Sequence, residues 1–374
     1  MTCLKGNIPK SSDASWKYAR LILLWVALLL CAPSPSYAQQ TPTPSPTVDP
    51  QVLGIPLAFS QDGSLLVSSY NDGDNAMVVL RDVITRKNLR IWRHGAIEKP
   101  TIGTGEVYAN DVHGAAITVD NQTLATGGTD NIVNLWRISD GTRIASFEIP
   151  SPVDDPIQRG IYQLMFSHNG TLLSVREESS TSIWDVQTRQ LLVKLPAQSI
   201  LGFSPDDSQV ALMDLSQGGT GAIGIYKVAD GSELRSLTLA NYGGCRAAIS
   251  PDWQTIASCQ LDAKTVDLVL YHARDGSLAK VLAKGIRADE FDFSNDGKLL
   301  ATAGQEDCTN TDMDGCLPVS GLYVWRLKDG AILLRPPRYQ GLVNAMAFKP
   351  DNSIVFVAFD NLVGGRYPVQ WRLG

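Results

Sequence analysis

Along most of the chain, short apolar runs and polar turns recur in a fixed order. An apolar run closes on Phe or Ile, and a Ser-Pro-Asp-Gly-like turn follows. A second apolar run leads to a third, which ends in a bulky residue just before an Asp-Gly-like turn. The first turn reads Ser60-Gln61-Asp62-Gly63, Val119-Asp120-Asn121, Ser167-His168-Asn169-Gly170, Ser204-Pro205-Asp206-Asp207, Ser250-Pro251-Asp252, Ser294-Asn295-Asp296-Gly297 and Lys349-Pro350-Asp351-Asn352. Short apolar runs bounded by Gly, Pro, Asp and Asn predict β-strands joined by tight turns.

The repeats are phased on the last apolar residue of the first strand. Phe59, Ile117, Phe166, Phe203, Ile249, Phe293 and Phe348 hold that position, with gaps of 58, 49, 37, 46, 44 and 55 residues. Four short strands and their turns need roughly 40 residues, so each gap holds one unit plus an insertion of variable length. The expected fold is all-β: a seven-bladed β-propeller of four-stranded antiparallel blades. The last repeat shows only three strands up to Leu373. Residues 45–56 are therefore expected to supply its outer strand, an edge where Pro46 and Pro50 are tolerated.

The third strands end Leu135-Trp136, Ile183-Trp184, Ile225-Tyr226, Leu270-Tyr271, Val324-Trp325 and Gln370-Trp371. Hairpins at Asp140-Gly141, Thr188-Arg189, Asp230-Gly231, Asp275-Gly276 and Asp329-Gly330 follow five of them, and Asp-Gly suits the positive φ of tight hairpins. The rings are expected to pack between adjacent blades. In these residues the chain resembles the WD40 family of propellers, in a divergent, bacterial-type form, over roughly Leu57 to Leu373. The best match is Leu124-Ala125-Thr126-Gly127-Gly128-Thr129-Asp130-Asn131-Ile132-Val133-Asn134-Leu135-Trp136. The resemblance implies that Asp130 joins a hydrogen-bonded network with a His and a Ser or Thr. Two departures are clear. Only Trp184-Asp185 carries the family's name dipeptide, and no Gly-His pair stands at its usual spacing, His113-Gly114 being reversed and too close to Ile117.

Ahead of the repeats, Lys5, Lys10, Lys17 and Arg20 precede an apolar run from Leu21 to Ala32, and Ser36-Tyr37-Ala38 offers a cleavage site. Residues 1–38 read as a secretory signal peptide, 39–50 as a Thr/Pro-rich linker and 51–374 as the propeller. The apolar run is shorter than the roughly 17 to 25 residues that span a bilayer, so membrane attachment would require this segment to stay uncleaved. Lipidation at Cys31 is disfavoured by Leu30 before it. The protein is expected outside the cell or in the periplasm and cell envelope, as a monomer.

Removing residues 1–38 takes away four basic residues and one Asp, moving the formal net charge from −6 to −9. A negative surface argues against general binding to nucleic acid or anionic lipid. Four cysteines remain, in two close pairs. Cys245 and Cys259 are equidistant from Asp252, which places them opposite or nearly opposite on strands one and two, and Cys308 and Cys316 bracket a short loop. Export permits both disulfides, each worth roughly 2.5 to 3 kcal/mol in the chain-entropy model.

In an up-and-down blade, the 1–2 and 3–4 turns emerge on one face, and the 2–3 and 4–1 connections on the other. The second set holds the long insertions: Arg93 to Val112, Glu148 to Gly160, Leu215 to Ala222, Gln305 to Ser320 and Arg335 to Gly341. Long loops on a rigid frame are where binding sites tend to be built. Tyr108, Asp111, Asp154, Asp155, Arg338 and Tyr339 are the expected contacts there. Within one insertion, Asp307, Asn310, Asp312 and Asp314 resemble the opening of a calcium loop, although Gly321 stands where an EF-hand has its bidentate Glu. Calcium is the one cofactor the sequence raises, beside the reading of a solvated, disulfide-closed loop.

Catalytic signatures are missing: there are four His and no H-E-x-x-H, G-x-S-x-G or phosphate-binding G-x-x-x-x-G-K. Asn110-Asp111-Val112-His113 is expected to reflect turn capping by Asp111. The leading functional expectation is a non-catalytic scaffold that binds a protein, peptide or glycan through the long-loop face. A metal-dependent propeller hydrolase or lactonase, and an envelope assembly factor, stay open beside it.

Overall fold

A computed structural model describes residues 54–72, 74–96, 111–150, 160–178, 180–196, 199–214, 221–262, 265–305, 319–336, 339–340, 342–360 and 368–373. Each repeat forms one antiparallel sheet with its strands in chain order. The first blade is β1 (Ile55–Phe59), β2 (Leu65–Asn71), β3 (Asn75–Asp82) and β4 (Asn88–Ala96). The second is β5 (Val112–Ile117), β6 (Thr123–Gly128), β7 (Ile132–Arg137) and β8 (Arg143–Glu148). The third is β9 (Gln163–Phe166), β10 (Leu172–Arg176), β11 (Thr181–Asp185) and β12 (Leu191–Leu195). The fourth is β13 (Ser199–Phe203), β14 (Gln209–Met213), β15 (Ala222–Lys227) and β16 (Glu233–Thr238). The fifth is β17 (Ala248–Ile249), β18 (Thr255–Asp262), β19 (Thr265–His272) and β20 (Leu278–Ala283). The sixth is β21 (Glu290–Phe293), β22 (Leu299–Gln305), β23 (Val319–Arg326) and β24 (Ala331–Leu334), with β25 (Tyr339–Gln340) also paired to β23. The seventh shows β26 (Leu342–Phe348), β27 (Ile354–Asp360) and β28 (Pro368–Arg372) among the described residues.

All seven phasing residues stand at the end of a first strand, as expected. The first strands touch in the cycle β1, β5, β9, β13, β17, β21, β26 and back to β1, which closes a seven-bladed propeller around a central channel. Ile55 and Pro56 pair with Ser69 and Ser68 in the first blade. Residues 45–53 of the expected closing segment lie outside the described residues.

The repeated turn has a specific physical content. Ser60, Thr118, Ser167, Ser204, Ser250 and Ser294 each donate a hydroxyl to the Asp or Asn two residues on, at 2.6–2.9 Å. The same hydroxyl accepts the first amide of strand two, as with Leu65 N at 2.9 Å. The fourth turn position has positive φ in every repeat, and outside the three glycines it is held by Asn121, Asp207, Trp253 and Asn352. Three of these four clasp the preceding blade. Asn121 donates to Asp62 at 2.9 Å, Asp207 accepts from the His168 and Asn169 amides, and Trp253 Nε1 donates to the Phe203 carbonyl at 2.9 Å. A bulky residue in this region costs on the order of 1–2 kcal/mol, and at Trp253 the cross-blade bond offsets part of it.

Side chains alternate along each strand, so every blade offers one apolar face to each neighbour. In β11, Trp184 joins a buried cluster with the second blade while Ile183 joins one with the fourth. Trp136, Tyr226, Tyr271, Trp325 and Trp371 likewise face the blade before them. The expectation of inter-blade packing holds at all six rings, none of which is more than 9% exposed. In the first blade the register that pairs Leu124 with Trp136 pairs Leu66 with Arg81. Arg81 is buried and donates to the Arg86 carbonyl at 2.9 Å. Among the described residues the seam between the seventh and first blades thus lacks a third-strand ring, and its buried cluster is Leu66, Val83, Phe356 and Ala358, with Phe59, Ala345 and Ile354 packed against it.

The missing His of the hydrogen-bonded network is His94. The sequence reading placed an insertion from Arg93 onward, but β4 runs on to Ala96, where Asn75 and Ala76 of the long β3 pair with Ala96 and Gly95. His94 therefore enters the second blade from the first. Trp136 Nε1 donates to Thr126 Oγ1 at 2.9 Å, Thr126 Oγ1 lies 2.9 Å from His94 Nδ1, and His94 Nε2 lies 3.4 Å from Asp130. The Asn134 amide nitrogen, a donor, lies 3.2 Å from Nδ1, and the Asp130 carboxylate at Nε2 can only accept, which puts the ring proton on Nε2 facing Asp130.

The Cys245 and Cys259 disulfide is present, with Cα atoms 5.6 Å apart. Cys308 and Cys316 lie outside the described residues. Two measurements test this part of the fold. In equilibrium denaturation, Thr126→Val should lose about 1–3 kcal/mol, because it strands a buried indole N–H and a histidine. Cys245→Ala with Cys259→Ala should lose about 3 kcal/mol and, alone of the two proteins, show no contribution from this bridge when reductant is added.

Candidate functional site

Strands two end and strands one begin on the same face, the face carrying the long connections. Their terminal residues therefore meet around one end of the channel. The channel is a cavity of about 1480 Å³ lined by first strands from all seven blades. Its wall is apolar where the first strands turn away from that end, at Phe59, Phe166 and Phe203, and polar around the mouth.

The mouth is built from the backbone upward. Asp111 leads into β5, and its carbonyl accepts the Thr129 amide at 3.0 Å. This close approach requires Gly128, where a Cβ would stand 2.1 Å from the Asp111 oxygen. The Asp111 carboxylate accepts a hydrogen bond from Asn71, at the end of β2 in the first blade. Sequence reasoning expected a cap on its own turn, which falls partly outside the described residues; among those described, the carboxylate ties two blades together. Ser69 Oγ, on the same strand, donates to the Val112 carbonyl at 3.0 Å.

Next around the rim, the His113 ring stacks on Tyr162 with centroids 6.1 Å apart, and the Arg176 guanidinium lies 5.6 Å from the centre of the Tyr162 ring. Desolvation lowers the His113 pKa, partly countered by Asp111. The Tyr162 pKa is raised by burial and by a hydrogen bond to Glu178. Gln163 bridges the third and fourth blades, donating to the Ile200 carbonyl at 3.0 Å and accepting its amide at 3.2 Å. Further on, Arg246 pairs with Glu290, Asp289 accepts from Arg287 at 3.1 Å, and Asp292 lines the wall below and accepts the Phe348 amide. Burial pushes Glu290 up to about 7 even against Arg246, and pushes Asp292 up to about 7.

Of the expected contact residues, Asp111 stands at this mouth and Tyr339 falls in β25, on the outer side of the sixth blade. Tyr108, Asp154, Asp155 and Arg338 lie outside the described residues, as do Asp307, Asn310, Asp312 and Asp314 of the calcium expectation. Among the described residues no group of three or more His, Cys, Asp or Glu is placed to hold a metal ion. Sequence reasoning missed Asn71, Tyr162, Arg176, Arg246, Glu290 and Asp292. The available signal was position: each stands where a second strand ends, or at or near the start of a first strand.

The profile of the WD domain, G-beta repeat, matches residues 102–137, the stretch that includes Asp111, Gly128, Asp130 and Trp136. The chain is a WD40-like β-propeller. The small ribosomal subunit protein RACK1 of Medicago sativa is 32% identical over 88 residues, which is 24% of this chain and 24% of that one. RACK1z of Oryza sativa subsp. japonica is 28% identical over 90 residues, 24% of this chain and 25% of that one. The WD40-like chain thus spans about a quarter of the length of the curated relatives it matches. The β-propeller domain of Cps50 (Swd1) from Myceliophteria thermophila superposes with a TM-score of 0.57 at 13% identity, covering 86% of this chain and 99% of that one. That likeness concerns the fold alone. WD40-like propellers typically serve as protein-interaction scaffolds.

The carboxyls of the channel set a pH dependence. Glu290 and Asp292 hold their protons more tightly in the folded than in the unfolded chain, so their contribution to stability is greatest at acid pH and declines as pH rises from about 4 to about 7. The turn aspartates Asp62, Asp120 and Asp206 have lowered pKa values, so the stability they add is lost only below about pH 4. Thermal denaturation across pH 4 to 8 should show Asp292→Asn with a shallower decline than the parent and a midpoint at pH 8 no lower than the parent's.

Proposed function

We propose that this protein is an exported, non-catalytic scaffold that binds a protein partner through the long-loop face, around the mouth of the channel. The observation that supports it most is the mouth itself. Ring closure gathers Asn71, Asp111, His113, Tyr162, Arg176 and Arg246 from four blades into one polar and aromatic rim over a wide cavity, while the 1–2 and 3–4 turns of the opposite face are short and internally hydrogen-bonded. Aromatic and Arg side chains supply the anchoring area common at interface hot spots. The targeting layout of residues 1–38 supports export, and the Cys245 and Cys259 bridge suits an oxidising compartment.

Affinity capture from extracts of the source organism tests this reading. Asp111→Lys and Tyr162→Ala should each reduce recovery of the same partner at least tenfold, whereas Asp230→Lys and Asp275→Lys on the opposite face should leave it unchanged. Equal loss from both faces, or metal-dependent turnover of ester or lactone substrates by purified protein, would contradict it.

A further inference from the structure

The hydrogen-bonding groups of the mouth are not evenly matched. Each carboxylate there already has a partner: Asp111 takes Asn71, Glu178 takes the Tyr162 hydroxyl, Asp289 takes Arg287 and Glu290 takes Arg246. Arg176 has the Tyr162 ring against its guanidinium, and its Nε is buried with no hydrogen-bond partner in the structure. An unpaired buried donor is destabilising, and because Arg176 lines the cavity, an anion arriving there would meet its guanidinium. Burial disfavours the positive charge of Arg176, Arg246 adds to this and Glu178 opposes it, and both arginines line the same cavity. Arg246 is itself 63% exposed at the side chain and, among the described residues, pairs with Glu290.

We propose that Arg176 and Arg246 form a carboxylate clamp at the channel mouth, which takes an Asp or Glu side chain from a peptide segment of the partner. This rests on the scaffold reading above and names the chemistry of its ligand. The planar guanidinium edge matches a two-oxygen acceptor, and Glu290 already gives one carboxylate oxygen to Arg246. The cavity of about 1480 Å³ has room for an extended segment rather than a single small ion. The rings of His113 and Tyr162 provide apolar area for its neighbouring residues. Because the chain is net negative, an acidic peptide is repelled at long range and gains affinity only from a local site.

Fluorescence anisotropy with three labelled decapeptides tests the clamp: alternating Glu and Ala, alternating Gln and Ala, and alternating phosphoserine and Ala. The Glu peptide should bind at least tenfold more tightly than the Gln peptide. R176Q and R246Q should each weaken it at least fivefold, R176K should fall between parent and R176Q, and E290Q, which frees Arg246 from its internal partner, should strengthen it. Thermal midpoints accompany each variant, and R176K keeps the test valid should R176Q unfold. Equal affinity for Glu and Gln peptides, or parental affinity in both R176Q and R246Q, overturns the clamp. Binding of the phosphoserine peptide with none of the Glu peptide overturns the carboxylate assignment. If the Glu peptide fails while Asp111→Lys and Tyr162→Ala still lose their captured partner, the clamp falls and the scaffold reading stands; if those variants also keep their partner, both fall.

Discussion

No blade of this molecule has a core of its own. Each sheet is buried only because the next one covers it, so the packing of a third-strand ring against the preceding blade is the contact on which everything else depends. Trp184 shows the logic. Its ring completes a cluster with Ala116, Ala125 and Leu135 of the second blade, while Ile183 beside it completes the next cluster with Val210 and Leu212 of the fourth. Burying a large side chain contributes about 1.5–3 kcal/mol, and removing an aromatic from such a site costs about 3–5 kcal/mol. The chain thereby commits its largest side chains to joints between repeats.

The functional face is a by-product of that closure. Asn71 meets Asp111, Gln163 meets Ile200, and Arg246 meets Glu290 because first strands from adjacent blades stand side by side. Residues some 37 to 44 positions apart in the chain become neighbours around one opening. Burial at that opening then alters their chemistry, raising Glu290 and Asp292 and leaving Arg176 with an unanswered donor. The opposite face differs for a local reason: several of its aspartates are held by their own turns, as Asp206 is by Ser204 and Ser208, while Asp62 and Asp207 also bond to a neighbouring blade.

What the sequence disclosed follows the range of the interactions involved. First-strand ends, the turn hydroxyl and Asp pairs, and the Cys245 and Cys259 bridge depend on contacts within one repeat, and all were legible from pattern and spacing. His94 was not, because its partners Thr126 and Asp130 lie 32 and 36 residues away and reach it across a blade boundary. Arg81 was also hidden. An arginine before an Asp does not announce itself as the occupant of a tryptophan position until the pairing of Leu66 fixes the register. The rim residues Tyr162, Arg176 and Arg246 carry no motif at all, since their meaning comes only from the circle that brings them together.

The circle has one atypical joint. Six seams carry a third-strand ring, and the seam between the seventh and first blades carries Arg81 and the small cluster around Phe356. If ring packing between blades is what holds the propeller, this seam should be the first to open. Native-state hydrogen exchange measures that directly. The account expects amides of β1 and β26 to exchange through the lowest-energy opening, with β9, β13 and β17 protected to higher free energy. Uniform protection around the ring, or first opening at a seam that carries Trp184 or Trp325, would contradict it.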